Sequence, residues 1–289
     1  MAWLSVRSQH GHMILRVEDL DTVRCTPERA ELLKDDLRWL GLTWDEGPDT
    51  GGCHAPYEQS RRTVLYQQAL EHLNAQGLVY PCFCTRDELH AVNAPHSTDG
   101  QILYPGTCRT LTPEEILQRL RKRPAAYRLR VPAETIGFRD GLKGYYAERL
   151  DCTCGDFLLR RSDGLFAYQL AVVVDDGAMG VTEVVRGADL LSSTPRQLLL
   201  YRLLNLSAPK FYHIPLLLSG DGRRLSKRDG DMDMGALREK YTPEQIMGKL
   251  AYLGGLRSNA EAVTAAELIP EFDWANVPRE NIRVPDGLF

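Results

Sequence analysis

The chain has 289 residues and a formal charge of −4, with 43 % hydrophobic and 26 % charged residues. That is enough for one large domain or a core with an insertion, and it excludes whole-chain disorder and fibrous repeats. No apolar run approaches the roughly 20 residues that span a bilayer. The N-terminus lacks the basic-then-apolar pattern of a secretory signal, so a cytoplasmic protein with no membrane contact is expected.

In chain order, Met13–Val17 reads as a first strand. Thr-Pro pairs at Thr26, Thr112, Thr194 and Thr242 announce helices, Thr as cap and Pro in the first turn. Glu115, Gln197 and Gln245 complete capping boxes three residues on. The first of these helices carries Ala30, Leu33, Leu37 and Leu40 on one face and runs toward Gly41. A second spans Thr63 to Asn74 and stops at Gly77. Asn93 to Gly106 reads as a loop within a cysteine-bearing insertion. Tyr127–Val131, Leu170–Val174 and Pro215–Leu218 are further strand candidates, and the unbroken apolar run of Leu170–Val174 suits a strand buried on both faces of a parallel sheet. After Gly255 the pattern fits a short helix and then Pro-rich coil. Alternating strands and helices predict an open α/β sheet with its ligand at the strands' carboxyl ends.

Four clusters carry chemistry. Arg16-Val-Glu18-Asp19-Leu-Asp21 places carboxylates where the chain leaves a strand, able to receive an ammonium group or a ribose; alone, it could be an acidic loop. Gly222 to Gly230 encloses Arg223, Arg224, Leu225, Ser226, Lys227 and Arg228 between glycines, a loop suited to a triphosphate or to a basic surface. Tyr168 and Arg186-Gly-Ala-Asp189 offer a hydroxyl and a planar fork that can pair with a carboxylate. Seven cysteines in a chain without a secretory signal argue against a disulfide framework. Cys82, Cys84 and Cys108 have the spacing of a structural zinc site, and composition offers His90 or His96 as the fourth ligand. Cys152 and Cys154 have no evident partner. A basic stripe, Arg119, Arg121, Lys122, Arg123, Arg128 and Arg130, reads as a solvated helix face and strand edge, with Arg119, Arg121, Lys122 and Arg123 as candidate phosphate contacts.

Taken in order, these motifs resemble one family. Arg16-Val-Glu-Asp-Leu-Asp resembles the R-I-E-D-T/L-D segment of class I glutamyl-tRNA synthetases, and Arg224-Leu-Ser-Lys-Arg228 resembles their KMSKS loop. The segments starting at Tyr168 and Arg186 resemble those that hold the amino acid. The resemblance runs from Ala2 to about Gly255 and implies a class I Rossmann-like core: residues 1–80 and 151–235 as its two parts, 81–150 as a zinc-bearing insertion, and 236–289 as a short α-helical end. Family members open with a strand, a P-S-P-T-G-like turn and a HIGH-like motif. This sequence starts within the helix that follows, so that first half of the ATP site is expected to be missing from it, through a misplaced start rather than decay.

The Cys-x-Cys then Tyr-x-x-x-Cys order, and the short stretch after the KMSKS-like loop, resemble the glutamyl-Q branch. There the zinc ligands would be Cys82, Cys84, Tyr104 and Cys108. The resemblance implies that glutamate and ATP, with Mg²⁺, form an adenylate whose glutamyl group passes to queuosine in the anticodon loop of tRNA(Asp). Glu18 would receive the amino group, Tyr168 and Arg186 would complete the pocket, and Lys227, with Arg224, Leu225, Ser226 and Arg228, would hold ATP. A monomer is expected. The alternatives are a fragment of an ordinary discriminating glutamyl-tRNA synthetase and a non-catalytic, zinc-stabilised tRNA-binding module.

Overall fold

In the computed structural model the described residues are 1–91, 103–223, 225 and 233–289. The elements run α1 (Ala2–Ser8), α2 (Pro27–Trp39), α3 (Thr63–Ala75), β1 (Val79–Cys82), α4 (Arg86–Ala91), α5 (Pro113–Leu120), β2 (Ala126–Leu129), β3 (Thr135–Asp140), β4 (Gly144–Arg149) and α6 (Leu150–Thr153). They continue with β5 (Leu158–Arg160), α7 (Tyr168–Ala178), β6 (Glu183–Gly187), α8 (Thr194–Leu203), β7 (Lys210–Ile214), β8 (Leu217–Leu218), α9 (Met234–Lys240), α10 (Pro243–Leu253) and β9 (Ile282–Arg283). The architecture is α/β, as expected.

The sheets are small. β1, β2 and β5 form an antiparallel three-stranded sheet, β3 and β4 a hairpin, and β6–β7 and β8–β9 parallel pairs. The predicted strand at Met13–Val17 is reduced to two parallel bridges, Ile14 with Glu46 and Val17 with Glu58. β2 starts one residue early and stops at Leu129, and only the last two residues of Pro215–Leu218 are extended as β8. The stretch after Gly255 folds into turns and a 3₁₀ segment at Trp274–Asn276 rather than a short α-helix.

The largest departure is Leu170–Val174, which forms the heart of α7 rather than a strand. An unbroken apolar run fits any element buried all round, so periodicity cannot separate the two. Here α3, α8 and β5 all pack against this helix, and burial outweighs the weak β-preference of three valines. Leu170, Ala171 and Val173 are fully buried in the main core with Tyr66, Leu73, Leu129, Leu150, Leu159, Leu199 and Leu200. The capping boxes at Thr112 and Thr242 form. Thr26 precedes α2 without a side-chain cap bond, and Thr194 is the first residue inside α8 instead of its cap. Gly41 and Gly77 end their helices with positive φ of 75° and 71°, conformations that glycine adopts without strain. A second core joins Leu4 of α1 to Met247 and Ala251 of α10 and to Val263, Ala265 and Leu268. A third surrounds Cys82, Tyr104 and Cys108.

What ties α7 to the rest is polar. Asp175 is fully buried; its carboxylate accepts from Arg62 Nε at 2.6 Å, Gln59 Nε2 at 2.8 Å and the Tyr66 hydroxyl at 2.8 Å. Asp176 accepts from Arg16 Nη1 at 2.7 Å and from the Tyr201 hydroxyl at 2.9 Å. No helix among the described residues is long and apolar enough to cross a membrane. Removing one partner of a buried ion pair strands the other charge. Asp175→Ala should therefore cost about 3–5 kcal/mol in urea unfolding, and a loss near zero would show that Arg62 finds another counter-charge.

Candidate active site

Arg16 leaves the extended Met13–Val17 segment, which is pinned by the amides of Leu15 and Val17 to the carbonyls of Glu46 and Tyr57. Its guanidinium reaches Asp176, lies 3.8 Å from Asp175 and donates to Glu18 Oε1 at 3.0 Å. Burial works against its charge, but Asp176, Glu18 and Asp175 together raise its pKa. Arg16 thereby aims Glu18, whose side chain remains 42 % exposed. Asp19 instead fixes the turn, accepting from the Ser60 amide and hydroxyl at 2.8 and 2.6 Å.

Tyr168 opens α7, and Arg186 lies in β6. Arg186 lies close enough to Tyr168 for its charge to act on the Tyr168 hydroxyl. Burial raises the Tyr168 hydroxyl, and the nearby Glu18 charge adds to this. The structure thus brings Glu18, Tyr168 and Arg186 together from three distant segments.

Several residues of the site escaped the sequence reading. Arg186 Nε donates to His213 Nε2 at 3.0 Å, and Nη2 donates to Thr194 Oγ1 at 2.8 Å. The guanidinium also stands over the Phe211 ring, 5.2 Å from its centroid. On the far side, His213 Nδ1 lies 2.6 Å from Asp140 Oδ2, and both side chains are fully buried. Because His213 Nε2 accepts from Arg186, Nδ1 carries the proton and donates to Asp140. β6 and β7 pair in register at Arg186 and His213, which sets this contact. Asp140 also accepts from the amides of Leu142 and Lys143. Burial pushes the Asp140 carboxyl up, but the His213 bond and these amides outweigh it and hold it below its ordinary value. Burial lowers the Arg186 pKa. The result is a half-buried cation held on two sides by the protein, with Tyr168 beside it and the Glu18 carboxylate nearby. Thr194 was legible only as a cap, and Asp140 and His213 lie outside every motif.

Of the residues in the loop between Gly222 and Gly230, Arg224, Ser226, Lys227 and Arg228 lie outside the described residues. Leu225 is described, and its amide donates to the Leu217 carbonyl of β8 at 3.3 Å.

A second site lies in the β1–β2–β5 region. The sulfurs of Cys82, Cys84 and Cys108 all fall within 4.8 Å of one another, and the cluster could hold a metal ion. The Tyr104 hydroxyl is 3.5 Å from Cys82 Sγ and 4.0 Å from Cys84 Sγ, and it accepts from the Cys108 amide at 2.8 Å. Arg128, placed by sequence in a solvent-facing stripe, is buried here instead. It donates to Cys82 Sγ at 3.3 Å and stacks on Tyr104, 3.8 Å from the ring centre. Burial raises the Cys82 thiol, yet Arg128 and the Tyr104 hydroxyl bring it below its ordinary value. Burial and the neighbouring Cys82 push Cys84 up to about 12. The side chain of His90 and all of His96 lie outside the described residues. Cys152 is exposed, and Cys154 Sγ lies against the Leu150 carbonyl at 3.5 Å; neither joins the cluster. From the same stripe, Arg123 pairs with Glu88 at 3.4 Å, and Arg130 stands over the Tyr80 ring.

Fold and site together define a ligase of the class I tRNA synthetase type. The chain matches the tRNA synthetases class I (E and Q), catalytic domain, over residues 1–284, and it belongs to that family. It is 51 % identical to the glutamyl-Q tRNA(Asp) synthetase of Symbiobacterium thermophilum, over 99 % of this chain and 89 % of the relative. It is 53 % identical to the protein of the same name from Nitratidesulfovibrio vulgaris, over 89 % of this chain and 80 % of the relative. The fold is similar to that of a glutamate tRNA ligase from Elizabethkingia meningosepticum in complex with its amino acid, with TM-score 0.84 and 31 % identity. That match covers 99 % of this chain and 63 % of the ligase.

The depressed Asp140 carboxyl sets a pH signature. Its contribution is present above the unfolded aspartate value of about 4 and is lost as pH falls through the lower folded value. Urea midpoints of the wild type and Asp140→Asn should differ most near neutral pH and converge below about pH 4. A constant gap across that range would place the loss in packing rather than in the carboxylate.

Proposed function

We propose that this chain activates glutamate with ATP and transfers the glutamyl group to queuosine in the anticodon loop of tRNA(Asp). The observation that supports the reading is the charged cluster: Arg186, fixed by the Asp140–His213 pair and Thr194, near Tyr168 and the Glu18 carboxylate. Arg186 and Tyr168 receive one substrate carboxylate, and Glu18 receives the ammonium group. The other carboxylate attacks the α-phosphorus of ATP; the bond to the β-phosphate oxygen breaks and pyrophosphate leaves. Lys227, with Arg224, Leu225, Ser226 and Arg228, offsets charge on the phosphates, the contribution that matters most as charge redistributes. Mg²⁺ accompanies ATP and shields its charge. A hydroxyl of the queuosine cyclopentene diol then attacks the adenylate carbonyl and AMP departs. The names of the two relatives above support the choice of acceptor. Residues 1–80 and 151–235 form the catalytic core in this reading, 81–150 the metal-bearing insertion and 236–289 the helical end. Arg119, Arg121, Lys122 and Arg123 are the candidates for RNA phosphate contacts, Arg123 on release from Glu88.

The metal in the insertion is zinc in this reading, held by Cys82, Cys84, Cys108 and Tyr104. The residues fit it: sulfurs on a tetrahedral zinc, at Zn–S of about 2.3 Å, stand roughly 3.8 Å apart, and Cys84 and Cys108 are 3.6 Å apart. Zinc would supply the positive charge that takes these thiols as thiolates and cross-links β1 to the Tyr104–Cys108 turn.

Two measurements test these assignments. Metal analysis of the purified chain should give about one zinc per molecule, reduced in Cys108→Ala; zinc retained undiminished in Cys108→Ala and in Tyr104→Phe would rule out the ligand set. Labelled glutamate should pass to tRNA(Asp) that carries queuosine and not to tRNA(Asp) lacking it. Equal labelling of both, or labelling of tRNA(Glu) at its 3′ end, would replace this reading with that of an ordinary glutamyl-tRNA synthetase.

A further inference from the structure

Behind Asp140 lies a cavity of about 330 Å³, walled by the β3–β4 hairpin, the start of β7 and Arg279. Its rim carries Arg139, Lys210 and Arg279, all exposed. Among the described residues these three have no ion pair and no side-chain hydrogen bond, whereas Arg16, Arg62, Arg128, Arg186 and Arg238 are all engaged.

The acids close to the cavity are already committed. Asp140 serves His213 and the hairpin amides. Glu183, opposite Lys210 in the β6–β7 register, accepts from the Ser5 hydroxyl. The cavity is held in shape by contacts with the C-terminal stretch. Lys143 Nζ donates to the Arg279 carbonyl, and Tyr212 stacks on Trp274 with centroids 4.2 Å apart. Gly141 makes room for that Tyr212 ring, since a Cβ there would lie 2.1 Å from it. In a chain of net charge −4, three like charges around one hollow repel each other, and an anion is what relieves them.

The same hairpin presents a second feature. Tyr145 pairs in register with Arg139 and is 72 % exposed. It lies over Gly137, which has no side chain to cover its ring. Phosphate-binding cations beside an open aromatic face suit a strand with unstacked bases better than a free anion. We propose that this cavity binds a backbone phosphate of the RNA acceptor through Arg139, Lys210 and Arg279, with a neighbouring unpaired base stacked on Tyr145. The proposal rests on the function proposed above and adds to it a contact surface separate from the Arg119–Arg123 stripe. The His213–Asp140 pair links the wall of this cavity to Arg186, so RNA seated here would lie close behind the glutamate pocket.

The test is binding of queuosine-bearing tRNA(Asp) by the full chain across a salt series. Replacing Arg139, Lys210 and Arg279 together by alanine should weaken binding and flatten the log K against log salt slope by roughly 0.7–0.9 per contact removed. Tyr145→Ala should weaken binding about fivefold or more while leaving the slope unchanged. An unchanged thermal midpoint in each variant confirms that it has folded. Inorganic phosphate is titrated as a second arm; if the triple variant loses phosphate binding but keeps wild-type RNA affinity and slope, the site takes free anions and the RNA assignment is overturned. Glutamate transfer on the same preparations separates the two readings. Transfer by wild type with an RNA affinity unaltered in the triple variant removes the cavity alone. RNA binding that is sensitive to these substitutions, without transfer, removes the proposed reaction and leaves the cavity.

Discussion

Two adjacent carboxylates on one buried helix organise this molecule. Neighbours on a helix point about 100° apart, so Asp175 and Asp176 reach in different directions. Asp175 gathers Gln59, Arg62 and Tyr66 from the segment before α3 and from α3 itself; Asp176 gathers Arg16 and Tyr201. A buried carboxylate is tolerated only when paired and hydrogen-bonded, and each here has such partners. The helix therefore cannot rotate or slide without stranding charge. Apolar packing around Leu170 and Val173 supplies the bulk of the driving force, but it would accept other registers. The carboxylates select one.

The site inherits that constraint. Arg16 is bound to Asp176 and, through the same guanidinium, orients Glu18. Tyr168 is positioned because it starts the helix that carries both aspartates. Arg186 receives independent support from the register of β6 and β7, which sets His213 beside it and Asp140 behind. The two opposite charges of Glu18 and Arg186 are thus held by separate supports.

The cysteine cluster follows similar logic on a smaller scale. Arg128 bridges Cys82, the Tyr104 ring and the Asp156 carbonyl, joining the cysteine cluster to the β1–β2–β5 sheet. A cation read from sequence as facing solvent is thereby an internal part of a thiol-rich site. Spacing shows that charges are neighbours along the chain; it does not show which of them turns inward.

The sequence by itself determined the family, the α/β class, the helices α2 and α3 with their glycine stops, and two capping boxes. It also marked Cys82, Cys84 and Cys108 as a group. Those features are local patterns or short motifs. Only the tertiary structure decided that Leu170–Val174 is helical, because an element buried on every side has no polar face to reveal its period. Only the structure turned Thr194 from a cap into a partner of Arg186 and brought Asp140 to His213, 73 residues away. Such pairs form because strand register and helix packing close long loops, and no local spacing records which distant side chains those closures bring within hydrogen-bonding distance.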